Sequence, residues 1–295
     1  MASPPLSPQQ VPTSQMVSQN YMTPLDADPG QTASTGNVLE YATDIFHNMD
    51  TDVYGDVLDP ILWRVLTSAE WAFRSNLIAW LLVMHQRCDM APETLWRAIN
   101  ILHKYLNLLP APPPDLRITG LTALYIAGKY EEAVHPKIRH MKFLIDGTDL
   151  TKNLMLQEEV NILQRLDFRI GNYTPPPLWE IRISAADEFD LTLRRVSRVF
   201  LESTLTAHAF LKLTPRRLAA AAMLLAVRMT GRTWHSGFET SSGFKEHHLI
   251  PEVRDLLFVQ RSKIYLASFV YEKYSTHRYR HYSQRIRTWA LTQPL

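Results

Sequence analysis

Catalysis by side chains would need a nucleophile beside a base, a cluster of metal ligands or a glycine-rich phosphate cradle. The chain has eleven histidines, among them the adjacent His247 and His248 and the i, i+4 pair His277 and His281. No glutamate stands in an H-E-x-x-H context, and the cations interleaved in THRYRHY (276–282) would repel a divalent metal. Neither a P-loop nor a G-x-S-x-G elbow occurs, and the single cysteine, Cys88, excludes an internal disulfide and a Cys-rich zinc site. No metal, cofactor or catalytic residue is therefore expected. The stretch that does invite chemistry is AGKYEE (127–132), which follows the apolar run GLTALY (120–125) without a turn residue. Lys129 at a helix C-terminus favours the helix dipole, whereas Glu131 and Glu132 oppose it. A helix with a purely structural purpose would gain nothing from those two acids, which points to a charged handle offered to another protein.

The elements that must position such a handle are helices. A length of 295 residues suggests about two domains. Few glycines and 46% hydrophobic residues give a helix-leaning chain with enough apolar material for a core. A net charge of +2 argues neither for a nucleic-acid coat nor for an acidic solvating tail. Residues 1–58 contain seven acids and no Lys or Arg, while the C-terminal end is basic. Residues 1–37, rich in Pro, Ser and Gln, are expected to be disordered. Ser3, Ser7 and Thr23 each precede a proline there and are candidate targets of a proline-directed kinase. The longest apolar runs, LIAWLLVM and LAAAAMLLAV, fall well short of the ~20 residues of a membrane span. With one cysteine and no signal peptide in view, a soluble intracellular protein is expected.

Helical spacing begins with Leu39, Ala42, Ile45, Phe46 and Met49, so 38–67 reads as an N-terminal helix and connector. Five helices follow in 68–170, over 68–87, 92–107 with Pro92 in its first turn, and 116–132 capped by Asp115. The fourth restarts at Pro136 and ends near Gly147, and the fifth, 150–168, has Thr151 as its cap. GNYTPPP (171–177) reads as a stiff, extended linker. In 178–274 the scheme recurs, with long helices in LTLRRVSRVFLESTLTAHAF, TPRRLAAAAMLLAVRMTG and PEVRDLLFVQRSKIYLASFVYEKY, and 275–295 reads as a basic tail. GLTALYIAGK (120–129) and AAAAMLLAVR (219–228) lie 99 residues apart. Each is a small-residue helix suited to the centre of a bundle. The expected fold is all-α, two tandem five-helix domains after a helix and a disordered tail.

RSNLIAWLLVMHQR, ETLWRAINILHKYLN, GLTALYIAGKYEE and QEEVNILQRLDF together resemble the cyclin box, the N-terminal repeat of the cyclins. FLKLTPRRLAAAAMLLA and YEKYSTHRYRHYS are similar to the second repeat and tail of B-type, mitotic cyclins, in their fungal form. The resemblance spans about residues 38–285, making 68–170 the first box and 178–274 the second. It implies a regulatory subunit, not an enzyme, that binds and activates a cyclin-dependent Ser/Thr protein kinase. Action at G2/M and residence in nucleus and cytoplasm are implied with it. It also implies that Lys129 and Glu159 hydrogen-bond the kinase backbone beside its αC helix, since a cation and an anion side by side can engage a carbonyl and an amide at once. Apolar contacts would come from Tyr130, Leu163 and Ile170, with Ile45 and Met49 pressing on the same partner. The second repeat has RMTG where the first has KYEE and lacks this handle.

Three departures stand out. Many cyclins dock Arg-x-Leu motifs of substrates or inhibitors in a groove. Here its stretch is FRSNLIAWL (73–81), beginning at Phe73 and keeping Leu77 and Trp80. Val83 stands where an acid would receive the docking arginine, and Arg117 where a glutamine is usual, so an altered, more apolar specificity is expected. The family's buried Arg–Asp pair becomes Arg74 facing His103, which requires either a neutral histidine or another acid. Finally, KYSTHRYRHYSQRIR (273–287) interleaves cations with aromatics. That run leaves a rival reading, a cyclin-fold nucleic-acid-binding or transcription-related adaptor.

Overall fold

Two helices without a polar face organise the chain. The computed structural model describes residues 42–51, 68–109, 115–134, 136–142 and 152–294. Helix α1 (Ala42–Thr51) precedes a first domain of α2 (Ser68–Arg87), α3 (Pro92–Asn107), α4 (Leu116–Glu131), α5 (Ile138–Lys142) and α6 (Lys152–Arg165). The second domain contains α7 (Pro176–Ser184), α8 (Leu191–Ser203), α9 (Pro215–Met229), α10 (Ser236–Ser242) and α11 (Ile250–Arg261). Three further helices close it: α12 (Lys263–Leu266), α13 (Phe269–Tyr274) and α14 (Tyr282–Thr292). No strand occurs among the described residues, and no described helix is long and apolar enough to cross a membrane.

Helix α4 is the axis of the first domain, with every residue from Thr119 to Gly128 buried, and α9 is the axis of the second, buried from Leu218 to Val227. Small residues let neighbours approach these axes closely: a Cβ on Gly120 would already touch Leu77 and Leu81 of α2 at 3.4 Å. Both helices start where side-chain caps predict. The Asp115 carboxylate accepts from the amides of Arg117 (2.9 Å) and Ile118 (3.4 Å), and the Thr214 hydroxyl accepts from that of Arg217 (3.2 Å). Helix α3 lacks a cap of its own at Ala91. Glu132, just past the end of α4, supplies it by accepting from the Ala91 amide at 2.7 Å and from the Thr94 hydroxyl.

Several expectations need correction. The single long helix expected to end at Tyr274 is three helices, because Ser262 and Ser268 leave helical conformation. Their hydroxyls cap the next helix, accepting from Tyr265 (3.0 Å) and Tyr271 (3.2 Å). Helix α8 stops at Ser203, and residues 204–210 turn instead of prolonging it. Pro176 and Pro177 are not part of an extended linker: they form the buried first turn of α7, where their missing amide hydrogens cost nothing. The basic tail is no tail either. Helix α14 buries Tyr282, Ile286 and Ala290 in the second core, and Arg287 donates to the carbonyls of Gln260 (2.7 Å) and Ser262 (3.2 Å). Leu39, the Thr151 cap, Gly147 and the sites Ser3, Ser7 and Thr23 lie outside the described residues.

The two domains share packing. The second core continues across the boundary to Ile78, Leu82, Leu95, Trp96 and Ile99 of the first domain. Charge at this boundary is paired: Arg198 donates to Glu180 at 2.9 Å, and Glu202 accepts from Lys273 (2.7 Å) and Tyr274 (2.8 Å). The Arg74 question also resolves. Its Nε donates to Nε2 of buried His103 at 3.0 Å, and burial together with the Arg74 charge holds His103 well below its usual range, so the histidine is the neutral partner. Burial lowers Arg74 to about 10, still charged at pH 7. His85, bonded to the Ala91 carbonyl at 2.8 Å, is lowered to about 4, mainly by burial.

Both imidazoles are neutral in the folded chain but protonate near pH 6.5 once exposed, so the unfolded state binds more protons below that value. Their contribution to stability is complete above pH 6.5 and is lost as pH falls toward 4. The urea midpoint is expected to be lower at pH 5 than at pH 7. His103→Gln, which keeps an acceptor for Arg74 without a titrating ring, should narrow that difference; an identical difference in both proteins would refute a neutral His103. Glu132→Ala is expected to cost about 1–2 kcal/mol, the range of a lost helix cap, seen as a lowered thermal midpoint with the helical circular dichroism retained.

Candidate functional site

The last turn of α4 and the middle of α6 meet at one seam. Lys129 passes over the Tyr125 ring, with its ammonium 4.7 Å from the centroid, and pairs with Glu159. Met155 and Ile162 of α6 point into the core, which sets the helix so that Glu159 lies at the seam, 7% exposed. The ammonium end remains more open than the carboxylate. Exposed apolar side chains stand among polar ones on this face. Tyr130 is 51% exposed, Val160 lies one turn from Leu156 on the outer side of α6, and Phe168 is 67% exposed. Phe168 stands outward because the chain turns through left-handed conformation at Asp167 and Phe168, with the Phe168 amide donating to the Leu163 carbonyl at 2.9 Å. Leu163 and Ile170 are half-buried and pack against the first core.

Of the other residues expected here, Ile45 is exposed on α1, but Met49 is not available. It is 6% exposed and packs in the core shared by the domains. The reading of Glu131 and Glu132 as acids without structural purpose is also overturned. Glu131 pairs with buried Arg97 of α3, and Glu132 caps α3. Cross-helix partners outweigh an unfavourable dipole of a few tenths of a kcal/mol. The candidate handle is thereby reduced to Lys129 with Glu159, and the two acids after it hold α4 to α3.

The expected docking groove is only partly a surface. Phe73 is exposed and Trp80 and Val83 are half-buried, but Leu77 lies in the core beneath them, close against α4 at Gly120. Arg117 is exposed beside this face, and its nearest acid is Asp115 at 3.7 Å. Among the described residues no three His, Cys, Asp or Glu side chains converge as a metal would require. The expectations missed Val160, Phe168 and Arg97. A polar-free i, i+4 step in α6 and an arginine inside the apolar ETLWRAINIL were the available signals.

Comparison with known proteins falls on this architecture half by half. Residues 44–171 match the family described as "Cyclin, N-terminal domain" and residues 179–287 match "Cyclin, C-terminal domain". The G2/mitotic-specific cyclin cdc13 of Schizosaccharomyces pombe is 31% identical over 90% of this chain and 54% of its own length. G2/mitotic-specific cyclin-3 of Saccharomyces cerevisiae is 30% identical over 91% of this chain and 63% of its own length. The chain therefore spans between about half and two thirds of these relatives. A viral cyclin from herpesvirus saimiri superposes with a TM-score of 0.64 over 77% of this chain and 98% of its own, at 14% identity. The yeast RNA Pol II CTD kinase CTDK-1 complex contains a chain that superposes at 0.53, with 16% identity, over 66% of this chain and 67% of that one. At such identities the superpositions speak for the fold alone. The two domain matches, in order and abutting at the linker, together with relatives of the same kind along nearly the whole chain, establish that it belongs to the cyclin family.

Proposed function

We propose that this chain is the regulatory subunit of a cyclin-dependent Ser/Thr protein kinase, acting at G2/M as the names of its relatives suggest. The observation that carries the proposal is the Lys129–Glu159 pair at the α4–α6 seam, bordered by exposed Tyr130, Val160 and Phe168. The ammonium can donate to a backbone carbonyl of the kinase while the carboxylate accepts from an amide, and the apolar border supplies burial around them. Leu163, Ile170 and Ile45 extend the same contact.

A protein kinase is active when its αC glutamate meets the strand lysine that positions ATP and its activation loop leaves the cleft. A partner that binds only this arrangement moves the population toward it. Going from 1:99 to 99:1 requires roughly 5.5 kcal/mol of differential binding. An apolar-bordered charge pair within an interface of about 2,000 Å² is of the size to supply it. The chain itself catalyses nothing in this scheme. Residence in nucleus and cytoplasm, and control through Ser3, Ser7 and Thr23, are part of the same proposal.

The basic run 273–287, on which the nucleic-acid reading rests, is reduced to its exposed Arg278, Arg280 and Arg285. Lys273 is paired with buried Glu202, and Arg287 donates to backbone carbonyls, so these two cations act inside the domain.

Lys129→Glu and Glu159→Lys are each expected to leave helical content unchanged while weakening the affinity for a cyclin-dependent kinase catalytic subunit by about 2–5 kcal/mol, read by titration calorimetry. Affinities equal to wild type in both would sink the assignment. For the groove, Arg-x-Leu peptides are expected to compete poorly with substrate, because Val83 offers no counter-charge and Arg117 adds a like charge. Micromolar binding of such a peptide, lost on Trp80→Ala, would show conventional docking.

A further inference from the structure

Arg97 stands on the buried side of α3, 4% exposed, between Trp96 and Ala98. A guanidinium there is costly unless its hydrogen-bonding capacity is met. It is met by groups of two other segments. Nε donates to the Glu131 carboxylate at the end of α4. Nη1 donates to the Ile170 carbonyl at 2.6 Å and Nη2 to the Tyr173 carbonyl at 3.0 Å, both in the stretch that joins the domains. The carbon of the guanidinium also lies 4.2 Å from the centroid of the Tyr130 ring, a cation–π contact.

These partners frame Tyr130 closely. A Cβ on Gly171 would come within 2.9 Å of the Tyr130 hydroxyl, so a side chain there would have to displace the ring. Tyr130 is thereby held between the guanidinium and the linker, with its remaining half exposed beside Lys129. Ile170, the residue whose carbonyl Arg97 binds, also belongs to the apolar contact proposed above.

We propose that Arg97 is a positioning residue for the kinase-binding face, holding the Tyr130 ring against the Ile170–Tyr173 segment in the arrangement that the partner meets. The inference rests on the kinase-binding reading. A lysine cannot replace it, since an ammonium lacks the planar fork that reaches a carboxylate and two carbonyls together.

The test compares the full chain as wild type, Arg97→Lys, Tyr130→Ala and the double variant. Each is titrated against a cyclin-dependent kinase catalytic subunit, and hydrogen exchange at residues 169–174 is followed in the free chain. Arg97→Lys keeps a cation beside Glu131 and is the variant expected to fold, checked by circular dichroism. Its affinity should fall about ten-fold, and exchange in 169–174 should quicken. The coupling decides the role. If Arg97 acts through Tyr130, the double variant binds no more than about two-fold worse than Tyr130→Ala alone. Losses that multiply instead, an affinity equal to wild type, or unchanged exchange in 169–174 would each overturn the role while leaving kinase binding in place. A wild-type chain that does not bind the kinase overturns both proposals. Should Arg97→Lys not fold, Gly171→Ala carries the test: it crowds Tyr130 from the other side with Arg97 intact. Weakened binding there, coupled to Tyr130→Ala, supports the positioning, and binding equal to wild type overturns it.

Discussion

A helix with no polar face persists in water only when other helices enclose it. Helices α4 and α9 impose this condition twice, and the two domains are its solutions. Enclosure also decides where function can sit. The flanks of such a helix are used up in packing, so its ends are the parts left to meet solvent or a partner. At the end of α9, Arg228 pairs with Glu246 at 2.6 Å, with both side chains partly open to solvent. At the end of α4, Lys129 reaches a second helix and leaves an exposed ring beside it. The same architecture thus ends each central helix in an ion pair, and the exposed ring of Tyr130 stands beside the first of them.

The second constraint is charge in dry places. At the domain boundary Glu180 meets Arg198 and Glu202 meets Lys273 and Tyr274. Such pairs add little net stability over apolar packing but tolerate few alternative alignments. In the first domain the pairing of Arg74 with a neutral His103 shows another solution, in which burial removes one of two potential charges. Arg97 follows a third route, sharing its charge among a carboxylate, two carbonyls and an aromatic face.

The ends of the two small-residue helices, their caps at Asp115 and Thr214 and the helix-starting Pro92 were legible in the sequence because they depend on neighbours within four residues. The five helices of the first domain were legible for the same reason. Breaks at Ser262 and Ser268 were not, since a serine can cap a new helix or sit within a continuing one. The PPP run was misread because a proline suits both an extended linker and a first helical turn.

At the site, residue types and the resemblance singled out Lys129, Glu159 and Tyr130, and local sequence could go no further. It could not give partners to Glu131 and Glu132, which lie 34 and 38 residues from Arg97 and Thr94. Nor could it tell that Met49 faces inward while Ile45 does not. Periodicity reports that a helix has an apolar face, whereas only the packed chain decides which neighbour covers it. The sequence by itself therefore determined the helical class, the helices of the first domain and the resemblance to the cyclins. The tertiary structure decided which charges hold the molecule together and which stay open at the surface, because that depends on distances between segments far apart in the chain.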